Sequence, residues 1–176
     1  MNILIVDDDR LVVSSLKRLF LQQGWMPEGF CSPIEALEQA GRIKADVVIS
    51  DLKMPEMDGI AFLSEYRLLQ PESVRILLSG HADTRGLIAA INKAEIYRFI
   101  TKPWQDDELC LSIRKAYEHF QLEHERNQLL AKLKTQQEVM GQQLSELQRL
   151  EKECQGITRV NWDSDGSILI DPDDYS

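Results

Sequence analysis

Short apolar runs recur along the first hundred residues of this 176-residue chain, with segments of helical spacing between them. Runs such as Ile3 to Val6 and Val47 to Ile49 are apolar at every position, which is typical of parallel strands covered on both faces. Strands that alternate with helices predict an α/β fold on a parallel sheet. Five strands are expected, at Ile3 to Val6, Trp25 to Phe30, Val47 to Ile49, Arg75 to Leu78 and Tyr97 to Ile100.

The segments between these runs carry helix start and stop signals. Asp9 stands where an N-cap would open the first helix, and Gly24 stands where a glycine would end it. Ser32 followed by Pro33 has the form of an N-cap with proline in the first turn. The expected helices cover Arg10 to Gln23, Pro33 to Gln39, Ile60 to Leu69 and about Thr84 to Lys93.

From Asp106 to Cys154 no proline interrupts the chain, which predicts one long helix. Four residues in it recur every seven positions, the spacing of a coiled coil: Leu133, Met140, Leu147 and Cys154. The contact face of a coiled coil also needs a second set of apolar residues that alternates with these four. Two pairs are candidates for this set, namely Leu129 with Leu150 or Leu130 with Leu144. We therefore expect a globular domain over residues 1–117 and a coiled-coil helix over 118–154 that forms a homodimer.

The last segment, residues 155–176, is a short acidic tail. The turn residues from Asp163 to Gly166 lie between two segments that could form short strands, and this pattern predicts a β-hairpin. The sequence from Asn161 also matches the beginning of a calcium loop, but Pro172 stands where that loop needs a bidentate glutamate. The hairpin is therefore the preferred interpretation.

Charge and cysteine usage exclude several classes of protein. The chain carries 20 basic and 29 acidic side chains, a net charge of −9, which argues against direct nucleic-acid binding. The three cysteines, Cys31, Cys110 and Cys154, suit neither a disulfide framework nor a zinc site, so a cytoplasmic location is expected. The first residues do not have the pattern of a signal peptide and no run has membrane-spanning length, so no membrane contact is expected.

Polar side chains stand at the ends of four of the expected strands: Asp7 and Asp8, Asp51, Ser79, and Lys102. Ligands of open parallel sheets lie at this edge. Clustered carboxylates repel one another unless a cation is present, and Mg²⁺ prefers oxygen ligands. A carboxylate beside the metal can become an aspartyl phosphate, while a lysine and a hydroxyl stabilise the phosphoryl oxygens. The pattern therefore predicts a Mg²⁺-dependent phosphoryl site.

Four motifs at these positions resemble the receiver domain of two-component response regulators. They are Ile-Val-Asp7-Asp8-Asp9, Asp51-Leu-Lys-Met-Pro55-Glu-Met-Asp58-Gly59, Leu-Leu-Ser79-Gly80-His81 and Phe99-Ile-Thr-Lys102-Pro103-Trp104. The resemblance covers Met1 to about Tyr117. It implies a doubly wound, five-stranded, flavodoxin-like receiver whose last helix extends into the long coiled-coil helix.

The resemblance also implies the chemistry of the site. Asp51 would accept a phosphoryl group from a sensor histidine kinase or a phosphotransfer protein. Asp7, Asp8, Asp51 and the backbone carbonyl of Lys53 would bind Mg²⁺ or Mn²⁺.

Further residues would respond to the phosphoryl group. Lys102 would pair with it, Ser79 would donate a hydrogen bond to it, and Phe99 would move when Ser79 moves inward. The Lys102–Pro103 peptide bond would be cis, a form rare except before proline. Two positions depart from the commonest pattern, Lys53 and His81, and we expect both to tune the lifetime of the phosphoryl group.

The sequence leaves the output of such a receiver open. One hypothesis is a regulator that relays phosphorylation through its dimerising helix to an unknown downstream protein. The alternative is an N-terminal receiver fragment of a larger regulator with a phosphodiesterase, cyclase or transcriptional effector. A phosphatase with an aspartyl nucleophile is disfavoured because Lys53 stands where its general acid would be. A receiver that only binds is disfavoured because Asp51 and Lys102 are present, and no enzyme activity on external substrates is expected.

Overall fold

The computed structural model describes residues 1–80 and 94–153, apart from the side chains of Glu151 and Glu153. Four predictions lie outside the described residues. They are the helix at Thr84 to Lys93, the placement of His81, the seam position of Cys154, and the hairpin in the acidic tail.

Five parallel strands form one sheet in the order β2-β1-β3-β4-β5. Their bounds are β1 Asn2–Val6, β2 Met26–Phe30, β3 Val47–Asp51, β4 Val74–Gly80 and β5 Arg98–Lys102. The strand order reverses at β1, which has β2 on one side and β3 on the other. The predicted five-stranded, doubly wound parallel sheet is therefore confirmed.

The fourth and fifth strands differ from the sequence prediction at their ends. Pairing continues beyond the apolar runs, with Ser79 opposite Thr101 and Gly80 opposite Lys102. The strand predicted to begin at Tyr97 begins instead at Arg98. Backbone hydrogen bonding does not depend on side-chain polarity, so Ser79 and Lys102 are strand residues rather than the first residues after a strand.

Four helices are described: α1 Arg10–Gln22, α2 Pro33–Gln39, α3 Gly59–Leu69 and α4 Asp106–Glu153. The predicted N-caps are confirmed, since the Asp9 carboxylate accepts from the backbone N–H of Leu11 at 2.8 Å and the Ser32 hydroxyl from that of Glu35 at 3.4 Å. Asp58 caps α3 in the same way, accepting from the N–H of Ala61 at 2.7 Å.

Alternate residues of the strands face opposite sides of the sheet, and both sides are covered. On one side, α2 and α3 enclose a buried cluster that includes Leu4, Val6, Val48, Phe62 and Tyr66. On the other side, α1 and the first part of α4 enclose a cluster that includes Ile3, Ile5, Phe20, Leu109 and Ile113. Burial on both faces explains why the strand sequences are apolar at consecutive positions.

The chain divides into two compact units, Met1–Arg126 and a second unit from Asn127 onward. Helix α4 extends through 48 residues, as the absence of proline predicts. Every residue from 127 to 150 is exposed, including the leucines of the predicted coiled coil. In the residues the structure describes, no helix is long and apolar enough to cross a membrane.

Candidate functional site

Four of the predicted site residues lie at the carboxyl edge of the sheet. Asp7 directly follows β1, and Asp51 is the last residue of β3. Because β1 and β3 are neighbours in a parallel register, their carboxyl ends lie side by side. Ser79 and Lys102 lie near the ends of β4 and β5, the next two strands in the sheet order.

The Lys102 side chain joins the two carboxylates. Its Nζ donates to Asp7 Oδ2 at 2.7 Å and also forms an ion pair with Asp51 Oδ1. Both acids are almost fully enclosed, with exposed fractions of 1% for Asp7 and 8% for Asp51. Buried carboxylates require charged or hydrogen-bonding partners, and one ammonium here serves two of them.

Backbone donors fix the other oxygen of each carboxylate. The N–H of Asp9 donates to Asp7 Oδ1 at 2.9 Å, and the N–H of Lys53 donates to Asp51 Oδ2 at 2.8 Å. Each side chain is therefore held at both of its oxygens. The Lys53 side chain itself lies on the exposed surface of the loop after β3.

Burial and the ion pairs act on the pKa values in opposite directions. Burial raises the pKa of Asp7 above its usual value, although the hydrogen bonds from Lys102 and from the Asp9 N–H oppose this rise. Burial lowers the pKa of Lys102, but its hydrogen bonds to Asp51 and Asp7 outweigh burial and raise the pKa overall. The ammonium of Lys102 is thus charged at neutral pH, while Asp7 is the carboxyl that burial disfavours in its ionised form.

Ser79 contributes a hydroxyl that no described residue pairs with. Its side chain is fully buried, and within residues 1–80 and 94–153 its Oγ has no hydrogen-bond partner. A neighbouring serine behaves differently, because the buried hydroxyl of Ser50 donates to the carbonyl oxygen of Asp51 at 2.9 Å. An unpaired buried hydroxyl costs about 1–3 kcal/mol, so the Ser79 side chain has a donor to offer to a group that enters the site.

Gly59 packs directly against the backbone of Asp51. A Cβ atom at this position would lie 2.0 Å from the Asp51 carbonyl oxygen, and the Gly59 N–H donates to the carbonyl of Leu52 at 2.9 Å. The start of α3 can approach the end of β3 only if residue 59 has no side chain. The sequence signal for this contact is the Asp58-Gly59 pair, in which Asp58 is the N-cap of α3 and Gly59 is its first residue.

The donor chemistry of the site fits a hard divalent cation. Asp7 and Asp51 supply two carboxylates at one edge, and Mg²⁺ is usually bound by one or two carboxylates together with waters and a phosphate. Asp8 lies on the exposed side of the same loop. In the part of the chain that the structure describes, no three acidic, histidine or cysteine side chains form a metal-binding group by themselves.

Two further expectations concern β5 and the residue after it. The Phe99 side chain is 45% exposed, on the outer part of the sheet. The Lys102–Pro103 peptide bond is cis, as the resemblance implied.

A family model described as the response regulator receiver domain matches residues 3–114. The chain belongs to the response regulator receiver domain family. The receiver domain accounts for the five-stranded parallel sheet and for the polar residues at its carboxyl edge. Receiver domains are signalling modules, and the relatives matched here are response regulators.

Named relatives carry the receiver as a part of longer chains. The hydrogenase transcriptional regulatory protein HoxA of Cupriavidus necator is 35% identical over 145 residues, which are 82% of this chain and 30% of HoxA. The chain thus spans about a third or less of the curated relatives it matches.

Solved structures agree on the receiver fold. The signal receiver domain of an HD domain-containing protein from Pseudomonas fluorescens is 35% identical with a TM-score of 0.64, covering 68% of this chain and 96% of that one. The structure described as adenylate cyclase from Rhodopirellula baltica is 30% identical with a TM-score of 0.70, covering 74% of this chain and 97% of that one.

Proposed function

We propose that the receiver accepts a phosphoryl group on Asp51 from a sensor histidine kinase or a phosphotransfer protein, in a reaction that depends on Mg²⁺ or Mn²⁺. The observation that supports this most directly is the Lys102 ammonium, which bridges Asp7 and Asp51 at the carboxyl edge of the sheet. A bridging cation of this kind can transfer its contact from a carboxylate to an arriving phosphoryl oxygen.

The Asp51 carboxylate is the nucleophile. One of its oxygens forms a bond to phosphorus while the bond between phosphorus and the donor histidine nitrogen breaks. The electron pair of the broken bond remains on the imidazole nitrogen, which then takes a proton from solvent. The Lys53 N–H holds Asp51 Oδ2, so the attacking oxygen we favour is Oδ1, on the Lys102 side.

The remaining site residues stabilise the transferred group. Mg²⁺ supplies positive charge to the phosphoryl oxygens when bound, and we expect Asp7, Asp8, Asp51 and the Lys53 carbonyl to hold it. The unpaired Ser79 hydroxyl donates to the phosphoryl group and moves toward it.

Phe99 is the aromatic residue that we expect to respond to phosphorylation. It lies two residues before Thr101, which pairs with Ser79 in the β4–β5 register, so a shift of Ser79 changes the space beside β5. Its present exposure is consistent with a ring that moves inward when the space opens. By this movement, phosphorylation would shift the receiver from one conformation toward another.

We further infer that the lifetime of the phosphoryl group is tuned by Lys53 and His81. Lys53 lies in the exposed loop that holds Asp51, where its charge flanks the path of an attacking water. Replacing both residues together and timing dephosphorylation tests this, because an unchanged rate contradicts it.

For the output, we favour a receiver that belongs to a larger regulator. Named relatives include the transcriptional regulator HoxA, an HD domain-containing protein and an adenylate cyclase, and the match covers only a minor part of HoxA. The output is then transcriptional or enzymatic in an effector outside the described residues, while the receiver acts on no external substrate. The other hypothesis is relay through α4 alone to a downstream protein.

The domain boundaries we propose are a receiver over 1–117, a helical segment over 118–154 and a tail over 155–176. The helical segment would join two copies of the chain as a homodimer in the cytoplasm. The exposed leucines of α4 between residues 127 and 150 support the dimer.

Intact-mass spectrometry after incubation with acetyl phosphate and Mg²⁺ tests the proposed phosphoryl transfer. The wild-type chain is expected to gain the mass of one phosphoryl group, whereas Asp51→Asn gains none. A chelator added beforehand is expected to prevent the gain. A wild-type chain that gains no mass under these conditions overturns the proposal.

A further inference from the structure

The exposed part of α4 carries a stripe whose members alternate three and four residues apart. The seam stripe consists of Leu130, Leu133, Gln137, Met140, Leu144 and Leu147. Its five apolar side chains are between 50% and 68% exposed, which is a large apolar surface for one face of a helix. Spacing of three and four is that of core positions in a two-stranded coiled coil.

A second register is available to the same helix, and its polar content is higher. It runs through Leu129 and Leu150 and places Gln136 and Gln143 in the seam, whereas the seam stripe has one glutamine. Each glutamine removed from water without a partner destabilises association. The register with a single polar member is therefore preferred.

Gln137 identifies what covers the stripe. A side-chain amide has both a donor and an acceptor, so the group that complements it is a second amide at the same level. In a parallel dimer in register, each core position faces its own copy, and Gln137 meets Gln137. In an antiparallel pair this position would face Leu133 or Met140, and an unrelated apolar helix would leave the amide unpaired.

Charges beside the stripe do not oppose this arrangement. The flanking positions in this register are Leu129, Gln136, Gln143, Lys134, Gly141 and Gln148. Only Lys134 among them is charged, and its parallel partner position is occupied by Leu129. Arg149 and Glu146 lie outside the seam and pair with each other at 3.1 Å within one helix.

We propose that a second copy of this chain covers the seam stripe as a parallel, in-register coiled coil with one polar layer at Gln137. This inference rests on the homodimer given above and adds its direction, its register and the residue that specifies both. A polar residue at one core position fixes register and oligomeric state at a cost in stability.

Disulfide trapping in the full chain tests the register. In a background with Cys154→Ser, we compare Gln137→Cys with Gln143→Cys. Gln143 is the matched control because it is also a glutamine but lies at a position that flanks the stripe. Mild oxidation is expected to cross-link Gln137→Cys at least tenfold faster, because only this position faces its own copy. Equal rates or faster cross-linking at Gln143 overturns the register, and cross-linking at neither position overturns the parallel direction.

A second variant and a mass measurement separate the possible failures. Gln137→Leu is expected to raise the dimer's melting temperature and to produce additional oligomers in sedimentation, whereas Gln143→Leu leaves a single dimeric species. A parent chain that sediments as a monomer overturns both this inference and the proposed homodimer. Phosphoryl acceptance by intact mass is measured on the same samples, so the receiver function is judged independently.

Discussion

In most folds polar side chains are exposed and apolar side chains are buried. The carboxyl edge of the sheet and the seam stripe of α4 depart from this rule in opposite ways. At the sheet edge, polar groups are buried, with Asp7, Asp51 and Ser79 all enclosed. On the stripe, apolar groups are exposed, with Leu133 and Met140 among them. Buried polar groups and large exposed apolar surfaces are the informative exceptions in a fold. In our proposals each region is completed by another component, which is a phosphoryl group with its metal at the sheet edge and a second chain on the stripe.

The largest expected effect comes from removing the cation that holds the buried acids. Lys102→Met leaves Asp7 and Asp51 close together without their shared ammonium. We expect phosphoryl acceptance from acetyl phosphate to fall at least 100-fold, and stability to fall by about 2–4 kcal/mol in metal-free buffer. Stopped-flow or timed intact-mass measurements give the rate, and urea unfolding gives the stability.

The stripe supplies the matched control for that experiment. Met140→Lys places a charge in the seam and is expected to convert the proposed dimer to monomer while phosphoryl acceptance stays within twofold of wild type. If Met140→Lys slowed acceptance as strongly as Lys102→Met does, the two regions would not be separable and the comparison would fail.

Gly59→Ala tests the backbone side of the sheet edge. The added Cβ would lie 2.0 Å from the Asp51 carbonyl oxygen, so α3 or β3 must shift. We expect a stability loss of about 1–3 kcal/mol and a slower phosphoryl transfer, since the nucleophile moves with its backbone. Gly41→Ala is the control, because no atom lies within 4 Å of its added Cβ. Equal unfolding midpoints for the two variants would contradict the contact.

Ser79→Ala tests the contrast between a buried hydroxyl that no described residue pairs with and one that is hydrogen-bonded. Removing an unpaired buried hydroxyl is expected to leave the unphosphorylated chain as stable as wild type or about 1 kcal/mol more stable. Ser50→Ala, which deletes a hydrogen bond to the Asp51 carbonyl, is expected to destabilise by about 1 kcal/mol. Urea unfolding of both variants without Mg²⁺ checks the order. A large destabilisation by Ser79→Ala would mean that its hydroxyl is already paired.

The smallest effect is a pH dependence that arises from Asp7. Burial raises the folded-state pKa of Asp7 above its unfolded value of 3.8, so the stability it contributes is fully present below that value. This contribution is lost as pH rises through the raised folded pKa. In metal-free buffer, Asp7→Asn should therefore gain stability relative to wild type as the pH rises above 3.8. Urea unfolding across that range checks it, and a constant difference would contradict it.

Much of this architecture follows from local sequence signals. Consecutive apolar residues predicted the strands, and Asp9 and Ser32 predicted the helix starts, because each signal depends on a few neighbouring residues. The strand-end residues indicated which side chains would share an edge, since parallel strands place their carboxyl ends together.

The parts that escaped prediction depend on distant contacts. The hydrogen bond between Lys102 and Asp7 joins residues 95 positions apart, and no local sequence signal indicates that one ammonium bridges two acids. The requirement for glycine at residue 59 arises from a three-dimensional approach to Asp51. The apolar runs predict strand ends two residues before the observed ends of β4 and β5, because backbone pairing continues after the apolar side chains stop.

The bridge made by Lys102 also determines when, during synthesis of the chain, the site at the sheet edge is complete. A ribosome produces Asp7 and Asp51 well before it produces Lys102, which ends the last strand of the sheet. Until β5 has docked beside β4, the two acids have no shared cation and repel each other. We therefore expect a receiver that ends before β5 to accept a phosphoryl group at least 100-fold more slowly than a chain whose sheet is complete.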